Sequence, residues 1–197
     1  MGLKERYVYT HRRRLGTSRE LLVENALKLL GFHVERVGLG VGDNSYIRGW
    51  AEREDMFDLK VSRLVGPKIY SIYVEVTGCP LTLEQSRRKL RELAGLNQPA
   101  VLVQRSKLDK YERVRPDHPV IVAHVWDPLL RIDWAWMEEI KHSVIRVLRL
   151  SGEPTPYLVV SLDIWKPITR LPNEIAHPPL TSLADLIPRK RRLVGNG

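Results

Sequence analysis

"YSIYVEVTG", residues 70–78, decides the reading of the fold. Ile72, Tyr73, Val74 and Val76 are residues that suit a pleated, buried surface, and Gly78 ends the run. Glu75 stands in the middle of this strand. Burying a carboxylate is costly unless a cation or several donors meet it. Thr77 follows two residues later.

Immediately upstream, "MFDLKVSRLV" (56–65) reads as a second strand, and "GPK" (66–68) turns the chain. The two runs form an antiparallel hairpin. A tight turn centred on Gly66 and Pro67 sets Asp58 opposite Glu75. Opposed residues on one face have Cβ atoms about 5 Å apart. Two like charges placed there repel unless a cation lies between them. A slip of one residue would turn one acid away.

Further upstream, "RELLVENALKLL" (19–30) reads as a helix capped by Thr17 or Ser18 and ended by Gly31. Leu22, Val23, Ala26, Leu29 and Leu30 fall at helical spacing toward a core, and Glu20 and Glu24 share one side. "FHVERV" (32–37) is a short strand. Residues 38–55 are glycine-rich and charged, a long loop of the kind that carries function. Downstream, "LTLEQSRRKLRELAGL" (81–96) is a helix with Leu83, Leu90, Leu93 and Ala94 inward and a basic outer side, and "PAVLVQ" (99–104) is a strand. Helix, three strands, helix and strand make a mixed α/β layout with a crossover helix before the last strand.

In the second half, "HPVIVAHVW" (118–126) and "PYLVVSLDIW" (156–165) read as strands, and "LLRIDWAWMEEIKHSVIRVLRL" (129–150) as a long amphipathic helix. After Trp165 the composition shifts, and Pro167, Pro172, Pro178, Pro179 and Pro188 punctuate it. Residues 1–165 are therefore expected to form the folded domain, and 166–197 a proline-rich basic arm or tail.

The 197 residues suffice for one sizeable domain, and 43 % of them are hydrophobic. No apolar run approaches the roughly 18–20 residues of a membrane span, and the charged N-terminus lacks the apolar centre of a signal peptide. A soluble, cytoplasmic protein without a membrane partner is expected. Cys79 is the only cysteine, which excludes intramolecular disulfides and cysteine-based zinc sites. As a small apolar residue at a strand end it needs no catalytic role. The net charge of +9 points to a polyanionic partner, nucleic acid above all. Its clusters are His11 to Arg14, Arg87 to Lys89, and Arg189 to Arg192. Each taken alone also reads as a solvated face or tail.

Acids at Glu20 or Glu24, Asp58 and Glu75 form the one constellation with chemistry in it. Clustered carboxylates are the oxygen donors that Mg²⁺ or Mn²⁺ prefers. A metal there would relieve their repulsion, activate a water and neutralise a scissile phosphate. Each acid alone reads more simply as an ion-pair partner, Asp58 and Glu75 with Lys60, Arg63 or the basic helix.

The order is a helix with a glutamate, the Gly31-Phe32 pair, "FDLKV" with its aspartate, a hairpin, "YVEVTG" with its glutamate, then a helix and a strand. It resembles the PD-(D/E)xK nuclease superfamily, the restriction-endonuclease-like proteins, and within it the archaeal Holliday-junction resolvases. The resemblance covers roughly residues 17–104. It implies a three-layer core with a central mixed sheet flanked by helices, and a metal-dependent nuclease acting on DNA, with structure-specific cutting among the options. It also implies that Asp58, Glu75 and the backbone carbonyl of Val76 bind Mg²⁺ or Mn²⁺, with Glu20, or else Glu24, completing the shell directly or through water.

One departure stands out. The family's lysine, two residues past the second acid, falls at position 77, where this chain has Thr77. A threonine hydroxyl can bond a water but brings no charge. Three readings stay open: Lys60 or Lys89 takes the role, the enzyme works slowly without it, or the site is inactive. Arg12, Arg13, Arg14, Arg87, Arg88 and Lys89 would hold phosphates, giving affinity and salt dependence rather than sequence choice. A homodimer is expected, with the segment around Trp134 as its contact. The competing readings are a catalytically silent nucleic-acid-binding protein on the same fold and a non-enzymatic assembly protein. "GLGVG" (38–42) lacks the ending of a P-loop, and His124 in its apolar run reads as a core histidine.

Overall fold

The computed structural model describes residues 3–38, 57–151, 153 and 155–177, with side chains from residue 15 onward. The chain begins with α1 (Leu3–Leu29), one continuous helix. The start expected at Thr17 or Ser18 is therefore mid-helix. No proline interrupts the run, and the single Gly16 costs only about 1 kcal/mol relative to alanine. Gly31, at φ +82°, ends it, a conformation that favours glycine.

Short β1 (His33–Arg36) is followed, beyond the loop that lies outside the described residues, by β2 (Leu59–Val65) and β3 (Lys68–Cys79). The remaining elements are α2 (Leu83–Ala94), β4 (Ala100–Gln104), α3 (Arg105–Val114), β5 (Val120–Trp126), β6 (Arg131–Trp136), α4 (Met137–His142), β7 (Val144–Leu148), β8 (Tyr157–Ser161), β9 (Lys166–Pro167) and α5 (Leu171–Glu174).

A six-stranded mixed sheet is the centre of the fold, ordered β1-β2-β3-β5-β6-β9. Only β3 and β5 run parallel; their neighbours are antiparallel. The β2–β3 hairpin closes through Gly66, at φ +59°, and Pro67, so that Val65 faces Lys68 and Leu59 faces Val74. Glycine first and proline second suits a type II′ turn, whose twist matches the strands. This is the register expected from the sequence, and it carries Asp58 to the level of Glu75.

Two expectations about strands are corrected. The strand after the crossover helix, β4, does not join the central sheet. It pairs with β8 in a second, three-stranded antiparallel sheet, β4-β8-β7. The parallel neighbour of β3 is β5, reached through α2, β4 and α3. The long helix expected over 129–150 is instead β6, the short α4 and β7. Its apolar residues alternate: Ile132, Trp134 and Trp136 fill one face of the sheet, while Ala135 fills the other. A period of two on a two-sided sheet defeats the helical reading. Trp134 is fully buried, edge-on to Trp136, and donates to the Pro167 carbonyl. It is a core residue of this one chain.

Apolar side chains cover both faces of the central sheet. Val23 and Leu27 of α1 pack with Val61, Val74, Val76, Ile121 and Val125 on one side. On the other, Phe57, Val120, Val122 and Trp126 meet α3, α4 and the second sheet. The arm expected from residue 166 is part of this fold up to residue 177: β9 pairs with β6, and Leu171 and Ile175 sit in the first core. The rest of it, 178–197, with the basic cluster at 189–192, lies outside the described residues.

Candidate active site

Val74 and Val76 point into the α1-side core, so alternation turns Glu75 and Thr77 to the opposite face. Glu75 is only 3 % exposed. Both its oxygens are occupied by ammonium groups from α3. Lys107 Nζ lies 2.5 Å from Oε1, and Lys110 Nζ lies 2.6 Å from Oε2. Lys107 also donates to the Val76 carbonyl, at 3.0 Å. Lys110 stands over the Phe57 ring, 5.1 Å from its centroid.

Asp58, half-buried just before β2, accepts a hydrogen bond from the Val76 N–H at 2.6 Å. Asp58 thus bonds the residue next to Glu75 and feels the charge of that acid. The two carboxyls are driven in opposite directions. Burial alone would raise Glu75, but Lys107 and Lys110 outweigh it and hold the group below the usual carboxylate range. Burial raises Asp58, and the charge of Glu75 raises it further; Lys107, the Val76 N–H and Lys110 oppose this without reversing it. Burial would pull the Lys107 ammonium down, but Glu75, Asp58 and Glu20 together keep it above the ordinary lysine value.

Of the two helix acids, Glu20 is the one whose charge reaches Lys107. It shares an inward stripe with Val23 and Leu27, at i, i+3 and i+7, is buried, and acts on the charge of Lys107. Arg19 beside it clasps Asp127 with two hydrogen bonds and lies against Gly78, where a Cβ would come within 2.5 Å of its Nε. Glu24 instead bonds Lys28 and Arg36, each at 2.6 Å.

Several predicted site residues lie elsewhere. Lys60 reaches over the Tyr73 ring, 5.9 Å from its centroid, and is not a partner of Glu75. Lys89 is exposed on α2. Neither therefore occupies the place of the missing lysine. Thr77 is half-buried and pairs across the sheet with His124. His124 is buried, as expected of a core histidine, with its ring edge-on to Trp126 and Trp165. Burial and the Arg19 charge push it down to about 3. Arg87 donates to the Asn97 carbonyl, and Arg88 faces Glu92 at 3.8 Å. Arg12, Arg13 and Arg14 lie on α1, with side chains outside the described residues.

Lys107 and Lys110 were missed by the sequence reading because α3 was missed. "RSKLDKYERV" reads as charged surface, but Leu108, Tyr111 and Val114 recur every third residue and pack on the second core. That spacing is the signal of an amphipathic helix, and the two lysines flank its apolar stripe. The helix is anchored at both ends. The Arg105 N–H meets the Pro156 carbonyl, and Tyr111 donates to the buried Glu138 at 2.7 Å.

No protein-family model matches the chain, and no curated protein matches it significantly. Two solved structures align with most of it. One is a nuclease from a fusellovirus, 14 % identical, covering 84 % of this chain and 90 % of that one, with a TM-score of 0.41. The other is Hjc, a Holliday junction resolvase from the hyperthermophile Archaeoglobus fulgidus. It is 13 % identical and covers 78 % of this chain and 95 % of that one, with a TM-score of 0.42. Both alignments are distant, and the assignment of site residues rests on the geometry above.

Donor chemistry at the cluster suits a hard divalent cation: two carboxylates on adjacent strands and a main-chain carbonyl. Among the described residues no three His, Cys, Asp or Glu side chains converge on one point. Water would have to complete the shell, as Mg²⁺ commonly requires. The lysines neutralise Glu75, but the positive charge present does not offset the burial of its neighbour.

Proposed function

We propose that the protein is a metal-dependent nuclease that hydrolyses DNA phosphodiester bonds. The observation that carries this reading is the buried Glu75, level with Asp58 and backed by two lysines from a single turn of α3. Asp58, Glu75 and the Val76 carbonyl are the groups that would hold Mg²⁺ or Mn²⁺, with Glu20 acting through water. A bound ion would supply charge neutralisation at the phosphate and a more acidic water. Thr77 can hold a water by its hydroxyl. The outer side of α2, with Arg88 and Lys89 exposed, offers phosphate contacts that depend on salt. A homodimer would place two such sites on two strands.

The same lysines support a second reading. With both Glu75 oxygens paired, the cluster can also be a closed ion-pair centre in a nucleic-acid-binding protein that does not cut. Metal separates the two. Mn²⁺-dependent cleavage is to be assayed on labelled duplex, single-stranded, flap and four-way-junction DNA, with Glu75→Ala alongside. Cutting that needs Mn²⁺ and is lost in the variant supports the nuclease. Salt-sensitive DNA binding in both proteins, with neither Mn²⁺ binding nor cutting, establishes the silent protein instead.

A further inference from the structure

Position 77 cannot supply a cation, and its neighbour across β5 is His124, enclosed by two tryptophan rings. Lys107 reaches the same acid from α3. Its Nζ touches Glu75 Oε1 and the Val76 carbonyl, which are two of the groups assigned above to the metal. Helix geometry fixes its place: α3 follows β4 without a connecting loop and is pinned at Arg105 and Tyr111. The side chain is 16 % exposed, enough to meet a substrate from one side.

We propose that Lys107 is the catalytic lysine of this site, supplied from α3 in place of the one that Thr77 displaces. The proposal rests on the nuclease reading. In the hydrolysis, a water oxygen bonds to phosphorus and the bond from phosphorus to one sugar oxygen breaks. The leaving oxygen takes one proton of the water; the other stays with the new phosphate or passes to solvent. The Lys107 ammonium would orient that water and offset the charge growing on the phosphoryl oxygens. Lys110 meets Glu75 on its other oxygen, toward Phe57, and serves as the internal comparison.

The test compares wild type, Lys107→Met, Lys110→Met and Lys107→Met combined with Thr77→Lys. Cleavage kinetics, Mn²⁺ titration by calorimetry and thermal melting are measured for each. For Lys107→Met, kcat is expected to fall about 100-fold or more, the loss typical of one removed transition-state donor. KM for DNA stays within about threefold, because phosphate affinity comes mainly from other cations. Mn²⁺ binding is expected to be at least as tight as in wild type, since a cation has left Glu75. Lys110→Met is expected to lose less rate than Lys107→Met. Thr77→Lys is expected to restore at least tenfold of the loss in the double variant.

Wild-type cutting by Lys107→Met overturns the proposal and leaves the nuclease reading standing. So does a parallel loss of Mn²⁺ binding, melting temperature and rate, the mark of a structural ion pair. A double variant no faster than the single one overturns the equivalence with position 77. If Lys107→Met does not fold, Lys107→Arg decides. It keeps the charge beside Glu75 but not the compact ammonium. At least tenfold slower cutting with Mn²⁺ binding intact supports the proposal; full-rate cutting overturns it. A wild-type protein that neither binds Mn²⁺ nor cuts overturns the nuclease reading and this proposal with it.

Discussion

Glu75 and Asp133 are both buried acids on the same face of the central sheet, yet they are satisfied in different ways. Asp133 takes its partners from its own hairpin: Trp126 Nε1 donates at 3.0 Å and Arg131 Nε at 2.9 Å, seven and two residues away. Glu75 takes both of its partners from α3, 32 and 35 residues away. Beside it stands a second acid, Asp58, whose carboxyl is pushed up rather than down. A locally closed pair holds the hairpin together. Under the proposed function, a long-range cluster with one acid paired to lysines and the other not is where an added cation would act.

The largest expected effect breaks this contrast at its strongest point. Glu75→Gln should remove Mn²⁺ binding and cutting together. It should also leave two ammonium groups facing a neutral amide, at a cost of about 3–5 kcal/mol, the range for a broken buried pair. Asp133→Ala should leave the Trp126 N–H without its acceptor and cost about 1–3 kcal/mol, with cutting per folded molecule unchanged. Urea unfolding with and without Mn²⁺, together with cleavage rates, reads both. If Asp133→Ala abolishes cutting in folded protein, the division between the two acids fails.

Legibility in the sequence follows the same line between local and distant partners. The hairpin register was readable because Gly66-Pro67 fixes the turn and alternation does the rest, so Asp58 and Glu75 were found as a pair. What supplies Glu75 was not readable. Lys60 looked suitable by strand alternation, but it leans over Tyr73, while the true partners come from a helix hidden in a highly charged stretch. The second half failed where β6 is buried on both faces, because its apolar residues then outnumber a simple alternation and mimic a helix. No local rule told β4 to leave the central sheet; that depends on β8, more than fifty residues later.

A middle-sized effect tests a third buried group on that face. His124 has a folded value of about 3 against 6.5 for an ordinary histidine, and its Nδ1 has no hydrogen-bond partner among the described residues. The unfolded chain takes up a proton as pH falls below 6.5, and the folded chain does not until about 3. Stability is therefore full above 6.5 and falls across that window by about 1.4 kcal/mol per pH unit. His124→Phe keeps an aromatic ring against Trp126 and Trp165 and should remove this contribution. Between pH 6.5 and 5 the wild type should lose roughly 2 kcal/mol more than the variant. Parallel slopes in urea unfolding would mean that the ring is protonated in the folded state.

The smallest effect comes from separating the two glutamates of α1, which sequence spacing alone could not do. Glu24 pairs with Lys28 and Arg36, both of which are about half exposed. Water screens such pairs, so Glu24→Gln should cost a few tenths of a kcal/mol and leave the site untouched. Glu20→Gln removes one of the three carboxylates that hold Lys107 in its charged form. If Glu20 acts as an outer partner of the metal cluster, the change should weaken Mn²⁺ binding or cutting by about 10-fold, the lower end for such residues. Arg19, clasped to Asp127 across Gly78, holds that stretch of α1 in place, so the effect should be chemical rather than a displacement of the helix. Equal behaviour of the two variants in Mn²⁺ titration and cleavage would place Glu20 outside the site. It would leave Asp58, Glu75, Thr77 and the lysines of α3 as the site's side chains among the described residues.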